Sequence, residues 1–278
     1  MTTFLKIIGL IIFIYVLISG YLYFAQDNLI FPRFNVPKDD INVIKKTYPD
    51  IQEVNLTTSD DVELQGWFLK NTESAKSPLL IYFGGNAEQI SAFIPSAKEI
   101  KNWSVLMLNY RGYGHSEGTP SEKNLFADSL LIYDTFTARE DIDKENVVVL
   151  GRSLGTGVAM NLATKRNFKA LILASPYDSI ARLAQDQYPY VPVNLLIKHP
   201  FYSIKLTPQI TLPTLVLLAE NDNVVPFESS KTLLENWDVG EKTVKQIEDT
   251  DHNSLIEHAD YIESIVEFLE SVYKNDSG

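Results

Sequence analysis

Three residues far apart in the chain have the types and neighbours that acyl-transfer chemistry requires. The first, Ser153, lies in Gly151-Arg152-Ser153-Leu154-Gly155, between the apolar run Val147-Val148-Val149-Leu150 and the small-residue stretch Thr156-Gly157-Val158-Ala159-Met160. A β-branched run, G-x-S-x-G and a helix-forming stretch describe a sharp strand-to-helix turn with a serine at its apex. The glycines are needed because such a turn strains the backbone and leaves no room for neighbouring side chains. The helix that follows aims free N–H groups at the serine, a setting that favours an oxyanion.

A serine hydroxyl needs a base, and the chain has four histidines: His115, His199, His252 and His258. His252 is the best placed, in the polar loop Glu248-Asp249-Thr250-Asp251-His252-Asn253 between an apolar run and a final helical pattern. By contrast, His115 falls in a glycine-rich loop, His199 in a proline-rich stretch and His258 on a helix surface. A third group should orient the imidazole and stabilise its charged form. Asp222, in Ala219-Glu220-Asn221-Asp222-Asn223-Val224-Val225-Pro226, fits that role and gives the chain order Ser153, Asp222, His252. Glu220 and Asp178 are its rivals. The oxyanion needs two backbone donors: Leu154 N–H directly after the serine, and Asn86 N–H in Gly84-Gly85-Asn86-Ala87.

Composition excludes other chemistries. With no cysteine there is no disulfide, thiolate nucleophile or thiolate metal site. No two histidines stand at i, i+4, so a histidine-rich metal centre is not expected. A formal charge of −12 argues against a nucleic-acid surface. The loop Asn109-Tyr110-Arg111-Gly112-Tyr113-Gly114-His115-Ser116-Glu117-Gly118 lacks the spacing of a phosphate loop. It reads as structural, with Arg111 bracing the active-site loops.

The elements that must position these residues follow from apolar periodicity. Strands are expected at 52–58, 62–70, 79–83, 105–109, 147–150, 170–174, 214–219 and 244–247; the middle ones are short and continuously apolar, as in parallel strands buried on both faces. Ser59-Asp60-Asp61 marks a hairpin between the first two. Thr119-Pro120-Ser121-Glu122 reads as a capping box with proline at the first helical position, opening a helix to about Ala138. Pro226 opens another carrying Phe227, Leu234 and Trp237, and Ile262, Val266, Leu269 and Val272 stripe the last. Alternation of strand and helix implies βαβ crossovers and a mostly parallel, eight-stranded sheet flanked by helices. Residues 176–212, rich in proline and aromatics, are too long for a connection and too apolar for a linker. They are expected to cap the site.

From Ile7 to Gln26 run 20 residues without a formal charge, enough for a helix of about 30 Å, the thickness of a bilayer core. Tyr21, Tyr23 and Phe24 suit an interfacial belt, and bulky residues stand where a signal-peptide cleavage site would need small ones. Residues 1–26 therefore read as an uncleaved transmembrane anchor, 27–50 as a connecting segment and 51–275 as the domain. Lys6 and the basic residues Arg33, Lys38, Lys45 and Lys46 flank the span on both sides, so charge does not orient it. The remainder is an acidic body of net −13.

Together, Gly84 to Glu88, Asn109 to Gly118, Gly151 to Gly155, Glu220 to Pro226 and Asp251-His252-Asn253 resemble the α/β-hydrolase superfamily, and most closely its membrane-anchored single-domain members, over roughly residues 51–273. Gly84 replaces the usual histidine of the oxyanion loop, and Asp251 stands where small residues are common. The resemblance implies cofactor-free hydrolysis of acyl esters or thioesters, with a small-molecule or lipid-like acyl substrate. A triad peptidase and a catalytically silent binding protein on the same fold are the alternatives.

Overall fold

In the computed structural model, which describes residues 2–34, 36–37 and 39–274, the apolar runs assemble into one sheet. Its strands are β1 (Ile51–Thr57), β2 (Glu63–Leu69), β3 (Ser77–Phe83), β4 (Ser104–Leu108), β5 (Ile142–Arg152), β6 (Ala170–Ala174), β7 (Thr214–Ala219) and β8 (Lys242–Ile247). Their order is β1-β2-β4-β3-β5-β6-β7-β8. The hairpin β1–β2 and the β2–β4 pair are antiparallel, and every later pair is parallel. The fold is the expected eight-stranded, mostly parallel α/β sheet. β5 begins five residues before the apolar run because Ser77 pairs with Ile142 ahead of a register break.

β3, β4, β6 and β7 are buried along their whole length. Because side chains alternate across a strand, each one feeds two cores. Leu79, Ile81, Val147, Val149 and Leu171 pack on one face against α4 (Glu122–Thr137) and α5 (Leu154–Ala163). Leu80, Tyr82, Val148, Leu150 and Ile172 pack on the other against α3 (Ile94–Glu99) and α9 (Ala259–Lys274). The buried stripe of α9 is Tyr261, Ile265, Leu269 and Val272, with Ile262 and Val266 at its half-buried margin.

Several boundaries differ from expectation. The cap of α4 is Ser121 rather than Thr119: its extended backbone lets Oγ accept the Asn124 N–H at 3.2 Å, and Pro120 stays outside the helix. α8 (Phe227–Glu235) does follow Pro226, but Trp237 lies beyond its end, where Nε1 donates to the Ile210 carbonyl. α1 (Thr2–Ile30) runs four residues past Gln26, and the following segment contains α2 (Asp40–Thr47). Its span Thr3–Ile30 is long and apolar enough to cross a membrane by length and composition, a property signal sequences share. Between β6 and β7 the chain forms α6 (Ile180–Gln187), α7 (Val193–Leu196) and two 3-10 turns. Met1, Asn35, Lys38 and residues 275–278 lie outside the described residues.

Arg111 does not brace the active-site loops. Its guanidinium joins Asp60 of the β1–β2 turn (2.7 Å) to Asp128 of α4 (2.6 Å). The Arg111 and Asp128 side chains are only 5% and 7% exposed, whereas Asp60 is 57% exposed. Removing one member of a buried pair strands the other charge at a cost of about 3–5 kcal/mol, while exposed partners contribute roughly 0–1 kcal/mol. Urea denaturation should therefore show Arg111→Met losing about 3–5 kcal/mol, and Asp60→Asn a far smaller loss because water screens its charge.

Candidate active site

The candidate residues collect at the carboxyl ends of the parallel strands, where open α/β sheets place their ligands. β5 ends at Arg152, and the next residue turns the chain into α5. At Ser153 the backbone takes φ 50° and ψ −120°, a left-handed conformation costly for any residue with a side chain. Two absent side chains permit the turn. A Cβ on Gly155 would run into the Phe83 carbonyl, and one on Gly151 into the backbone of Gly155. Ser153 N–H is tied to the Ala174 carbonyl at 2.8 Å, so β6 also holds the turn in place.

β7 and β8 deliver the other two residues. Asp222 Oδ1 accepts the N–H groups of Val224 (3.0 Å) and Val225 (2.7 Å), which fix its carboxylate. His252 Nδ1 lies 2.8 Å from Asp222 Oδ2, and His252 Nε2 lies 3.0 Å from Ser153 Oγ. A carboxylate only accepts, so Nδ1 carries the proton and Nε2 is left to accept from the serine hydroxyl. All three side chains are buried. Burial opposes ionisation of Asp222, but the hydrogen bond from His252 and the donors around it prevail and hold its carboxyl below the ordinary value.

The rivals for the acid are occupied elsewhere. Asp178 Oδ1 accepts from Ser229 Oγ at 2.6 Å, and Glu220 Oε2 accepts the Asp249 N–H at 2.9 Å. Glu220 thus ties the Asp222 loop to the His252 loop, as does the bond from Asn221 N–H to the Thr250 carbonyl. Asp251 is explained too. Its Oδ1 accepts the N–H groups of Asn253 and Ser254, building the turn that presents His252.

Leu154 and Asn86 line one pocket with Ser153, a cavity of about 160 Å³ completed by apolar side chains that include Tyr177, Ile180, Leu183 and Val225. Asn86 follows Gly85, whose N–H is already committed to Glu88 Oε2 at 2.8 Å. Glu88 Oε2 also meets Arg152 Nη1 at 2.9 Å, Glu88 Oε1 accepts from Tyr82, and Arg152 Nη2 donates to the His252 carbonyl. One buried ion pair therefore joins the loop after β3, the serine turn and the histidine loop. Sequence reading missed it; the signal was a lone arginine inside an otherwise apolar strand-and-turn motif. It also missed Leu29 and Ile30 of α1, which line the same cavity.

A family model described as "alpha/beta hydrolase fold" matches residues 78–198. An uncharacterized protein of Mycobacterium tuberculosis is 32% identical over 188 residues, covering 67% of each chain. The chain belongs to the α/β-hydrolase family. Protein bem46 of Schizosaccharomyces pombe is 29% identical over 90% of this chain and 87% of its own length. Among solved structures, an esterase of Pyrococcus furiosus superposes with a TM-score of 0.67 at 17% identity, covering 87% of this chain and 97% of the other. At that identity the likeness concerns the fold.

The depressed Asp222 carboxyl sets a pH dependence. A group whose value falls on folding stabilises the fold above its unfolded value, about 3.9, and that stabilisation is lost as pH falls through the folded value. Asp222→Asn should therefore lose less stability than wild type as pH falls below about 4, measured by urea unfolding at a series of acidic pH values. Equal acid slopes would contradict the coupling.

Proposed function

We propose that this hydrolase cleaves carboxylic acyl esters or thioesters through an acyl-enzyme on Ser153. The observation that carries the proposal is His252, bridging Ser153 Oγ at 3.0 Å and Asp222 at 2.8 Å with both partner side chains buried. Ser153 Oγ attacks the acyl carbonyl while His252 Nε2 takes its proton. Asp222 holds the imidazole in the required tautomer and stabilises the imidazolium that forms. The oxyanion that develops on the former carbonyl oxygen accepts from the N–H groups of Leu154 and Asn86. His252 then gives its proton to the departing alkoxide or thiolate. A water molecule, activated by the same imidazole, releases the acid and restores the serine. An apolar cavity at Ser153 favours an acyl chain over a polar peptide side chain.

The same proposal makes residues 1–26 a retained membrane anchor. Its support is that the end of α1 belongs to the fold: Gln26 is buried against the β6–β7 segment, Phe31 is fully buried, and Leu29 and Ile30 wall the serine pocket. That segment, which supplies Tyr177, Ile180 and Leu183 to the pocket, serves as the cap.

A fluorophosphonate probe should label the wild-type chain and not Ser153→Ala. Hydrolysis of p-nitrophenyl esters should fall by about two to four orders of magnitude in Asp222→Asn, and stay near wild type in Asp178→Asn. Unlabelled wild type, or labelling that survives Ser153→Ala, would overturn the reading.

A further inference from the structure

A second apolar cavity, of about 90 Å³, lies between the end of α1 and the β6–β7 segment. Leu22, Leu29 and Ile30 line it from the helix, and Ala184, Tyr188 and Leu196 from the segment. Leu29 and Ile30 also line the cavity at Ser153. On the other wall, consecutive residues of α6 divide the work: Leu183 lines the serine cavity and Ala184 the second one. The two cavities are thus neighbours along a single apolar seam.

The seam begins where the bilayer would end. Leu22 belongs to the uncharged stretch Ile7–Gln26, and Ile30 stands eight residues further on, about 12 Å along a helix. α1 is fastened at that point rather than loosely tethered. The Gln26 side-chain amide donates to the Leu196 carbonyl at 3.0 Å and accepts the Lys198 N–H at 2.7 Å. Asp27 meets Lys198 at 3.2 Å and His199 at 3.1 Å, and the Phe31 ring packs edge-on against His199. Beside the seam, two large side chains of the β6–β7 segment are almost fully exposed: Tyr190 at 88% and Leu195 at 85%. They neighbour lining residues in sequence, as do Tyr21 and Phe24 of α1, which are exposed as well. Such side chains suit the bilayer interface.

We propose that this seam is an acyl-chain groove, through which the chain of an ester resident in the bilayer reaches Ser153, with α1 serving as one wall as well as an anchor. The proposal rests on the serine-hydrolase reading above and specifies its substrate class: an acyl chain long enough to extend from the serine cavity past Leu29 and Ile30. A bilayer ester would slide along α1 without crossing water, and short soluble esters would fill only the inner cavity.

The test uses the full-length chain in detergent with p-nitrophenyl butyrate, hexanoate and octanoate. For wild type, kcat/KM should rise about fourfold per methylene, the increment for burying one CH₂ group. Ala184→Trp and, independently, Leu196→Trp place an indole in the groove and should lower the octanoate-to-butyrate ratio of kcat/KM by about tenfold or more. A short-chain fluorophosphonate, read in parallel, reports whether each variant is folded and Ser153 is reactive. If wild type is not labelled, the serine-hydrolase reading fails. If both variants are labelled and keep the wild-type ratio, or if wild type shows no chain-length rise, the groove proposal fails while that reading stands.

Discussion

The backbone of one residue governs the geometry of the site. Ser153 sits at φ 50°, a conformation that costs about 1–3 kcal/mol and persists only where surroundings over-determine it. They do so here: β5 lies between β3 and β6 in the sheet, α5 packs so closely on β3 that Gly155 cannot carry a side chain, and β6 holds the Ser153 N–H. The strain is the means by which a serine at a strand end projects its hydroxyl beyond the sheet, with a helix N-terminus behind it. Release of any of these restraints would let the turn relax and withdraw the hydroxyl from His252.

The remaining loops are held by polar contacts within an otherwise apolar region. Arg152 and Glu88 are both buried, and their pairing makes a charged arginine tolerable beside Ser153. Because the same two side chains reach Gly85 N–H, Tyr82 and the His252 carbonyl, the positions of the loop after β3 and of His252 are coupled rather than independent. Glu220 and Asn221 provide a second tie between the loops after β7 and β8. The candidate site is thus one network spread over four strand ends. A second buried pair, Arg111 with Asp128, works away from it and secures the β1–β2 turn to α4.

Much of this was legible in the chain. The strands feeding two cores are continuous apolar runs, a pattern that survives translation into a parallel sheet because both faces are covered. The G-x-S-x-G segment, the polar loops holding Asp222 and His252, and the glycines after β3 all lie where local composition places them. Boundaries were less legible where competing local options exist. Thr119 and Ser121 both offer a hydroxyl for capping, and only the backbone path into α4 selects Ser121. The length of α1 was underestimated because Asp27 ends the uncharged run, yet its carboxylate is partnered by Lys198 and His199 from residues far along the chain.

That contrast separates the two sources of information. Local sequence determined which residues form strands and turns and which side chains carry a hydroxyl, an imidazole and a carboxylate, because propensity, periodicity and strain act between near neighbours. Tertiary structure alone decided which carboxylate faces His252, what Arg111 and Arg152 pair with, and that α1 walls the cavity at Ser153. Those outcomes depend on distances between segments up to 172 residues apart, as His199 is from Asp27. Only the folded sheet brings such segments within hydrogen-bonding reach, because those contacts are short-ranged while the chain between them is not.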